Sequence, residues 1–132
     1  MEPSGLLAAA MVATGGAAGA LARYGLSIWL ARPDVRFPYA ILLCNVGGCL
    51  LMGALMWFVM HKPTLAPTLR LLLVVGLLGS LTTFSTFGYD TIELARQGHV
   101  AQAIWNVVAN VVLGLGAVAL GAWAAWMLVR PR

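Results

Sequence analysis

The chain alternates long apolar runs with short polar segments, and this pattern occurs four times. A run of about 20 apolar residues is long enough to cross the hydrocarbon core of a bilayer as a helix. The segments between the runs contain proline, arginine and glycine, which break helices or prefer water. The pattern predicts one all-α transmembrane domain covering residues 1–132, with spans at residues 5–30, 39–60, 69–95 and 101–128.

Composition supports the membrane class. Hydrophobic residues make up 61% of the 132 residues and charged residues 9%, against about 25% charged in a typical soluble domain. The basic residues are scattered, so we expect charges that flank a lipid bilayer and no nucleic-acid partner. Asp90 and Glu93 are interpreted as a solvated helix end, because no nucleophile, histidine or metal constellation accompanies them and no enzyme is predicted.

The third span contains a polar stretch at its centre. Gly76 and Gly79 precede five hydroxyl side chains within seven positions. Glycines and clustered hydroxyls let a backbone leave helical geometry inside a membrane and still find hydrogen-bond partners. We therefore expect the third helix to be broken near its middle, with the freed groups facing something polar. The hydroxyls belong to Ser80, Thr82, Thr83, Ser85 and Thr86.

Two polar side chains in the other spans each have two interpretations. Asn45 either hydrogen-bonds to a neighbouring helix or lines a pore with its two amide N–H donors. Arg23 either snorkels to the membrane surface or provides a fixed positive charge that attracts anions to a pore mouth. Gly15 and Gly19, just before Arg23, form a small-residue motif that predicts close approach of another helix.

Basic residues are almost evenly divided between the two sides of the predicted bundle. Membrane orientation normally follows an excess of Lys and Arg on the cytoplasmic side. Without such an excess, the chain is predicted to insert both ways up and to pair as an antiparallel homodimer; a single orientation set by another feature is the alternative. One side has Lys62, Arg70, Arg130 and Arg132, and the other has Arg32, Arg36 and Arg96, with Arg23 if it reaches that end.

In such a dimer, the broken regions of the two copies would meet at the midplane. The carbonyls of Gly79 and Thr82 would converge there, and a small cation such as Na⁺ would satisfy them. Phe84 and Phe87, three residues apart, are explained most simply by packing. However, the positive edges of phenyl rings also face anions. With nearby hydroxyls and the Asn45 amide, they would compensate a small hydrated anion for its lost water and still release it.

Three motifs, in chain order, resemble those of the Fluc family of fluoride channels. The resemblance covers most of the chain, and the third motif is the most specific. It implies a dual-topology dimer with two antiparallel pores that passively export fluoride across a bacterial inner or plasma membrane. The motifs are Gly15-Gly16-x-x-Gly19-Ala20-x-x-Arg23-Tyr24, Asn45-Val46-Gly47-Gly48 and Gly79-Ser80-Leu81-Thr82-Thr83-Phe84-Ser85-Thr86-Phe87.

The resemblance also implies residue roles. It implies a structural Na⁺ that is not transported, held by the backbone carbonyls of Gly79 and Thr82, and an arginine, Arg23, near the pore entrance. Asn106 and Asn110 depart from the family pattern, since many members have tyrosine and serine there; Asn110 is interpreted as the remaining donor. The predicted fluoride pathway consists of Phe84, Phe87, Asn45, Ser85, Thr86, Thr83 and Asn110.

Two other functions fit the length and span count. A small dual-topology multidrug-type cation exporter should carry a carboxylate buried in its first span. The ionisable residue of this first span is Arg23, which favours an anion. A structural or assembly subunit would have no use for the hydroxyl-rich stretch.

Overall fold

The computed structural model describes residues 3–31, 35–61 and 67–129, and within these ranges the regular elements are helices. Four basic residues of the charge comparison, Arg32, Lys62, Arg130 and Arg132, lie outside the described residues. The elements are α1 (Gly5–Trp29), α2 (Tyr39–His61), α3 (Pro67–Arg70), a π-helical segment (Leu71–Leu78), α4 (Gly79–Leu81), α5 (Phe84–Arg96) and α6 (Val100–Val129).

These elements form four helical spans that are long and apolar enough to cross a membrane. Their mean hydropathy lies between 1.6 and 2.0, and their ends fall within two residues of the predicted ones. The predicted four-span, all-helical architecture is therefore confirmed. The observed spans are Gly5–Trp29, Tyr39–His61, Pro67–Arg96 and Val100–Val129.

Local chemistry sets several helix ends. Ser4 caps α1, because its hydroxyl accepts a hydrogen bond from the backbone N–H of Leu7. Gly98 has a φ of 83° in the turn between α5 and α6, a left-handed conformation that favours glycine. The Arg36 guanidinium contacts the His99 ring, so the segment before α2 and the turn after α5 lie at the same end of the bundle. Four consecutive spans require this arrangement.

Helix packing depends on glycine at two close approaches. The predicted motif on α1 is confirmed, because a Cβ atom at Gly15 or Gly19 would overlap backbone carbonyls of the π-helical segment. On α6, a Cβ at Gly121 would overlap the Leu50 carbonyl of α2. Small residues let backbones approach in membranes, where dispersion contacts replace the hydrophobic effect as the force between helices. The main packed pairs are thus α1 with the π-helical segment and α2 with α6.

A single copy of the chain buries little of its surface. In the most apolar 18-residue stretch of each span, only 11–22% of the residues are buried within the structure. Most apolar side chains therefore face outward, where they are available to lipid or to another protein chain.

Candidate functional site

The third span is interrupted by two consecutive extended residues. Thr82 has φ −80° and ψ 149°, and Thr83 has φ −150° and ψ 123°, so α4 ends and α5 starts anew at Phe84. The Thr83 hydroxyl oxygen accepts a hydrogen bond from the Thr86 N–H at 3.3 Å, which caps the new helix. The structure thus shows the predicted break at Thr82 and Thr83, where the short helix α4 separates it from the π-helical segment.

Asn45 of α2 pairs with the backbone at this break. Thr83 N–H donates to Asn45 Oδ1 at 2.9 Å, and Asn45 Nδ2 donates to the Thr83 carbonyl at 3.3 Å. The same Nδ2 donates to Asn110 Oδ1 on α6 at 2.8 Å. The structure shows the interhelical hydrogen bonding that was one interpretation of Asn45, and the pore-lining interpretation stays a prediction. The amide stands in for the helical hydrogen bonds that the extended residues cannot make.

The break also redirects the donors of two carbonyls. In a continuous α-helix, the Thr83 N–H would donate to the Gly79 carbonyl and the Thr86 N–H to the Thr82 carbonyl. Here the first donates to Asn45 Oδ1 and the second to the Thr83 hydroxyl. The carbonyl oxygens of Gly79 and Thr82, the two predicted ligands of Na⁺, have therefore lost their regular helical donors.

A third carbonyl at the break has its own side-chain partner. Arg23 Nε on α1 donates to the Ser80 carbonyl at 3.2 Å, and the Arg23 side chain is half-buried. The Ser80 hydroxyl donates to the Gly16 carbonyl at 2.8 Å, which joins the same two spans. The Arg23 side chain therefore turns toward the third span. Its charge lies at the carbonyl end of α4, where a cation is favourable.

A cavity of about 320 Å³ opens beside the break, between α2, α5 and α6. Among the described residues that line it there is no Asp, Glu, Lys, Arg or His. The lining is mainly apolar, with amide and hydroxyl groups at one side. From the predicted pathway it includes Asn45, Thr83, Phe84, Phe87 and Asn110.

The two phenylalanine rings lie on the wall of this cavity. Their centroids are 5.6 Å apart and their planes are inclined by 53°. Phe84 is 84% exposed, so it does not pack into the interior of this chain. Core packing within the chain therefore does not account for Phe84.

The remaining predicted pathway residues lie close to the cavity but outside its lining. The Ser85 hydroxyl is exposed and lies 3.4 Å from the Thr83 hydroxyl. Thr86 shares a hydrogen bond with the Thr83 hydroxyl at 3.1 Å. The structure thus gathers the predicted hydroxyls in the first turn of α5, where they bond mainly to one another.

Asn110 lines the cavity, but its amide donors point away from it. Asn110 Nδ2 donates to the carbonyl of Asn106 at 2.9 Å and to Asn106 Oδ1 at 3.0 Å. Asn106 in turn donates to the Thr91 hydroxyl at 2.9 Å. Sequence reasoning gave no role to Asn106 or Thr91. The four-residue spacing of Asn106 and Asn110 was a usable signal, since it places both side chains on one helix face.

A cation at the break would depend on backbone oxygen. Within residues 3–31, 35–61 and 67–129, there is no cluster of three or more His, Cys, Asp or Glu side chains that could hold a metal. Carbonyl oxygens released from helical hydrogen bonding are the donor type that membrane proteins offer to Na⁺ at unwound helices. Gly79 and Thr82 fit that chemistry.

The chain is similar to known proteins over a range that includes all the site residues described above. Residues 10–122 match the family model described as CrcB-like protein, Camphor Resistance (CrcB). Three relatives carry the name "Fluoride-specific ion channel FluC". The protein from Saccharophagus degradans is 48% identical over 107 residues, covering 81% of this chain and 80% of its own. The protein from Chloroflexus aurantiacus is 44% identical over 111 residues, covering 83% and 88%. The protein from Dehalococcoides mccartyi is 39% identical over 119 residues, covering 89% and 92%.

Proposed function

Because this chain belongs to the CrcB-like protein family, we propose that it is a fluoride-specific ion channel that lets fluoride leave the cytoplasm passively. The resemblance drawn from the three sequence motifs is confirmed by relatives at 39–48% identity that are named as ion channels rather than enzymes. With its four spans, the chain is a multi-pass protein of the bacterial cell membrane.

The observation that carries the proposal is the uncharged cavity at the start of α5. The first turn of a helix presents backbone N–H groups and roughly half a positive charge, which attracts anions. The rings of Phe84 and Phe87 and the hydroxyls of this turn lie at the same place. These partial charges attract a small anion, while the absence of a full positive charge among the described lining residues allows the anion to leave.

The proposed channel is an antiparallel homodimer inserted in both orientations. The balanced Lys and Arg count supports dual insertion. The high exposure of Phe84 supports a second copy, because a ring on the wall of an ion pathway needs cover from lipid. An antiparallel partner that lies over the open cavity would enclose the pathway on its exposed side.

We include a structural Na⁺ at the dimer centre in the proposal. The redirected donors support this, because they free the carbonyl oxygens of Gly79 and Thr82, whereas the Ser80 carbonyl between them accepts from Arg23. A buried carbonyl without a partner costs several kcal/mol in a membrane. Bound Na⁺ would take the place of the lost N–H donors at these carbonyls in both copies. The role of each chain would be to hold the oxygens in position.

The multidrug-type cation exporter is not supported. The relatives are named for fluoride, and α1 has no carboxylate between Gly5 and Trp29. In its place α1 carries Arg23, which bonds to the third span.

The test is fluoride efflux from proteoliposomes that contain wild type, Phe84→Ile or Trp105→Ile. Both side chains are exposed aromatics, but only Phe84 lines the cavity. We expect wild type and Trp105→Ile to dissipate a fluoride gradient and Phe84→Ile to lose most of that flux. Equal flux in all three proteins would remove Phe84 from the pathway, and retained gradients in all three would refute the channel function.

A further inference from the structure

Asn106 is completely buried, although it lies in a transmembrane helix. Its exposure is 0%. Among the residues that the structure describes, it is the only polar or charged residue that is buried. A buried amide in a membrane is costly unless its donors and acceptor are satisfied. Asn106 meets this condition through Thr91 on α5 and Asn110 on its own helix. Because it is buried within one chain, Asn106 does not contact an ion in the cavity.

The hydrogen bonds around Asn106 form a relay that runs in one direction. At one end, Thr83 N–H can only donate, so it fixes which amide atom of Asn45 faces it. Asn45 Nδ2 then donates to Asn110 Oδ1, and Asn110 Nδ2 donates to Asn106 Oδ1. Each amide thereby supports the orientation of the next, and the Asn106 carbonyl, which also accepts from Asn110 Nδ2, supports the same orientation of Asn110.

The other end of the relay returns to the third span. Asn106 Nδ2 donates to the Thr91 hydroxyl, and that hydroxyl donates to the Phe87 carbonyl at 2.7 Å. The relay therefore begins at the extended break residue and ends at the backbone of the second cavity phenylalanine. Both ends belong to the proposed pathway, and its centre is Asn106.

We propose that Asn106 is a positioning residue of the fluoride pathway. Through Asn110 it reinforces the amide orientation of Asn45 that the Thr83 N–H sets, and through Thr91 it holds the backbone at Phe87, so that the break and the phenyl rings keep their relative positions. The proposal rests on the proposed channel function. An amide can rotate by a half-turn and exchange its oxygen and nitrogen. In the rotated state Asn45 would present its NH₂ group to the Thr83 N–H, two donors would face each other, and the break would lose its support.

The experiment uses three relay variants and one control in the full-length protein. Asn106→Leu removes the centre, Thr91→Val removes the hydroxyl with little change in shape, and Thr91→Ser keeps the hydroxyl. The control is Thr14→Val: the Thr14 hydroxyl also donates to the carbonyl four residues earlier, at 2.8 Å, but it has no bond to another helix. Fluoride efflux from proteoliposomes is measured together with backbone hydrogen exchange by mass spectrometry.

We expect Asn106→Leu and Thr91→Val to reduce fluoride flux about tenfold, as for loss of one interhelical hydrogen bond in a membrane. Thr91→Ser and Thr14→Val should conduct like wild type. Hydrogen exchange should rise in the peptide containing Thr83 and stay unchanged around Leu94 and Ala103, where α5 and α6 pack. If Asn106→Leu does not fold, the two Thr91 variants give the same test.

Two results would overturn the positioning role. One is wild-type flux and wild-type exchange at the break in Asn106→Leu and Thr91→Val. The other is an exchange increase spread equally over α5 and α6, which would indicate general packing. If wild type itself fails to conduct fluoride, the proposed function fails, and the exchange data still decide whether the relay orders the break.

Discussion

Replacing Asn45 by aspartate is the sharpest perturbation that the site offers. Asn45→Asp keeps an oxygen for the Thr83 N–H but replaces the amide that donates to the Thr83 carbonyl and to Asn110 Oδ1. Two favourable contacts become contacts between oxygens. Each lost bond costs about 0.6–1.7 kcal/mol in a membrane protein.

The larger effect is the charge. A carboxylate about 4 Å from a passing fluoride ion, at an effective dielectric constant of about 20, raises the energy of that ion by ~4 kcal/mol. At ~1.4 kcal/mol per tenfold, this corresponds to a loss of about a thousandfold in conduction. Asn45→Leu loses these two bonds and the acceptor for the Thr83 N–H as well, but adds no charge. We expect it to lose about ten- to a hundredfold.

The assay is initial fluoride efflux, read with a fluoride electrode, for wild type, Asn45→Leu and Asn45→Asp in liposomes. Size-exclusion chromatography and a thermal melt establish that each variant is folded. We expect fluoride flux to decrease in the order wild type, Asn45→Leu, Asn45→Asp. Equal flux in the aspartate and leucine variants would refute the placement of Asn45 beside the ion, and wild-type flux in both would refute its role altogether.

Three further results are expected. Arg23→Leu should lower the free energy of unfolding by about 1.5–3 kcal/mol, because the Ser80 carbonyl loses a charged donor. Thermal melting measures this loss, and an unchanged melting temperature would contradict a stabilising bond between Arg23 and Ser80. Gly121→Leu should destabilise the protein by about 1–3 kcal/mol or more, because its side chain would overlap the Leu50 carbonyl. The control Gly116→Leu faces open space and should melt like wild type. Equal melting temperatures of the two variants would contradict the close packing at Gly121. Replacing Na⁺ with a large organic cation should abolish fluoride flux, and full flux without Na⁺ would contradict the sodium site.

Much of the fold follows from local rules. The spans were predicted to within two residues because hydropathy and helix-breaking residues act over short distances. The break was predicted because clustered glycines and hydroxyls have few uses in a membrane helix. Its position at Thr82 and Thr83, and the π-helical segment before it, depend on contacts with other helices that the sequence does not display.

The site was predictable in composition but not in connectivity. Asn45 was recognised as a costly amide, but its partners lie 38 and 65 residues away in sequence. The sequence allows two interpretations of Arg23, and neither predicts its bond to the Ser80 carbonyl, which lies 57 residues away. Asn106 looked like one of two departures from a family pattern, because periodicity alone does not distinguish a buried face from a pathway face.

In the proposed channel, an uncharged cavity at a broken helix passes fluoride selectively. This selectivity is tested most directly by measuring fluoride and chloride efflux, with ion-selective electrodes, from the same liposomes containing wild-type protein. We expect the fluoride gradient to dissipate while the chloride gradient persists. Retention of the fluoride gradient, or equal loss of both, would contradict it.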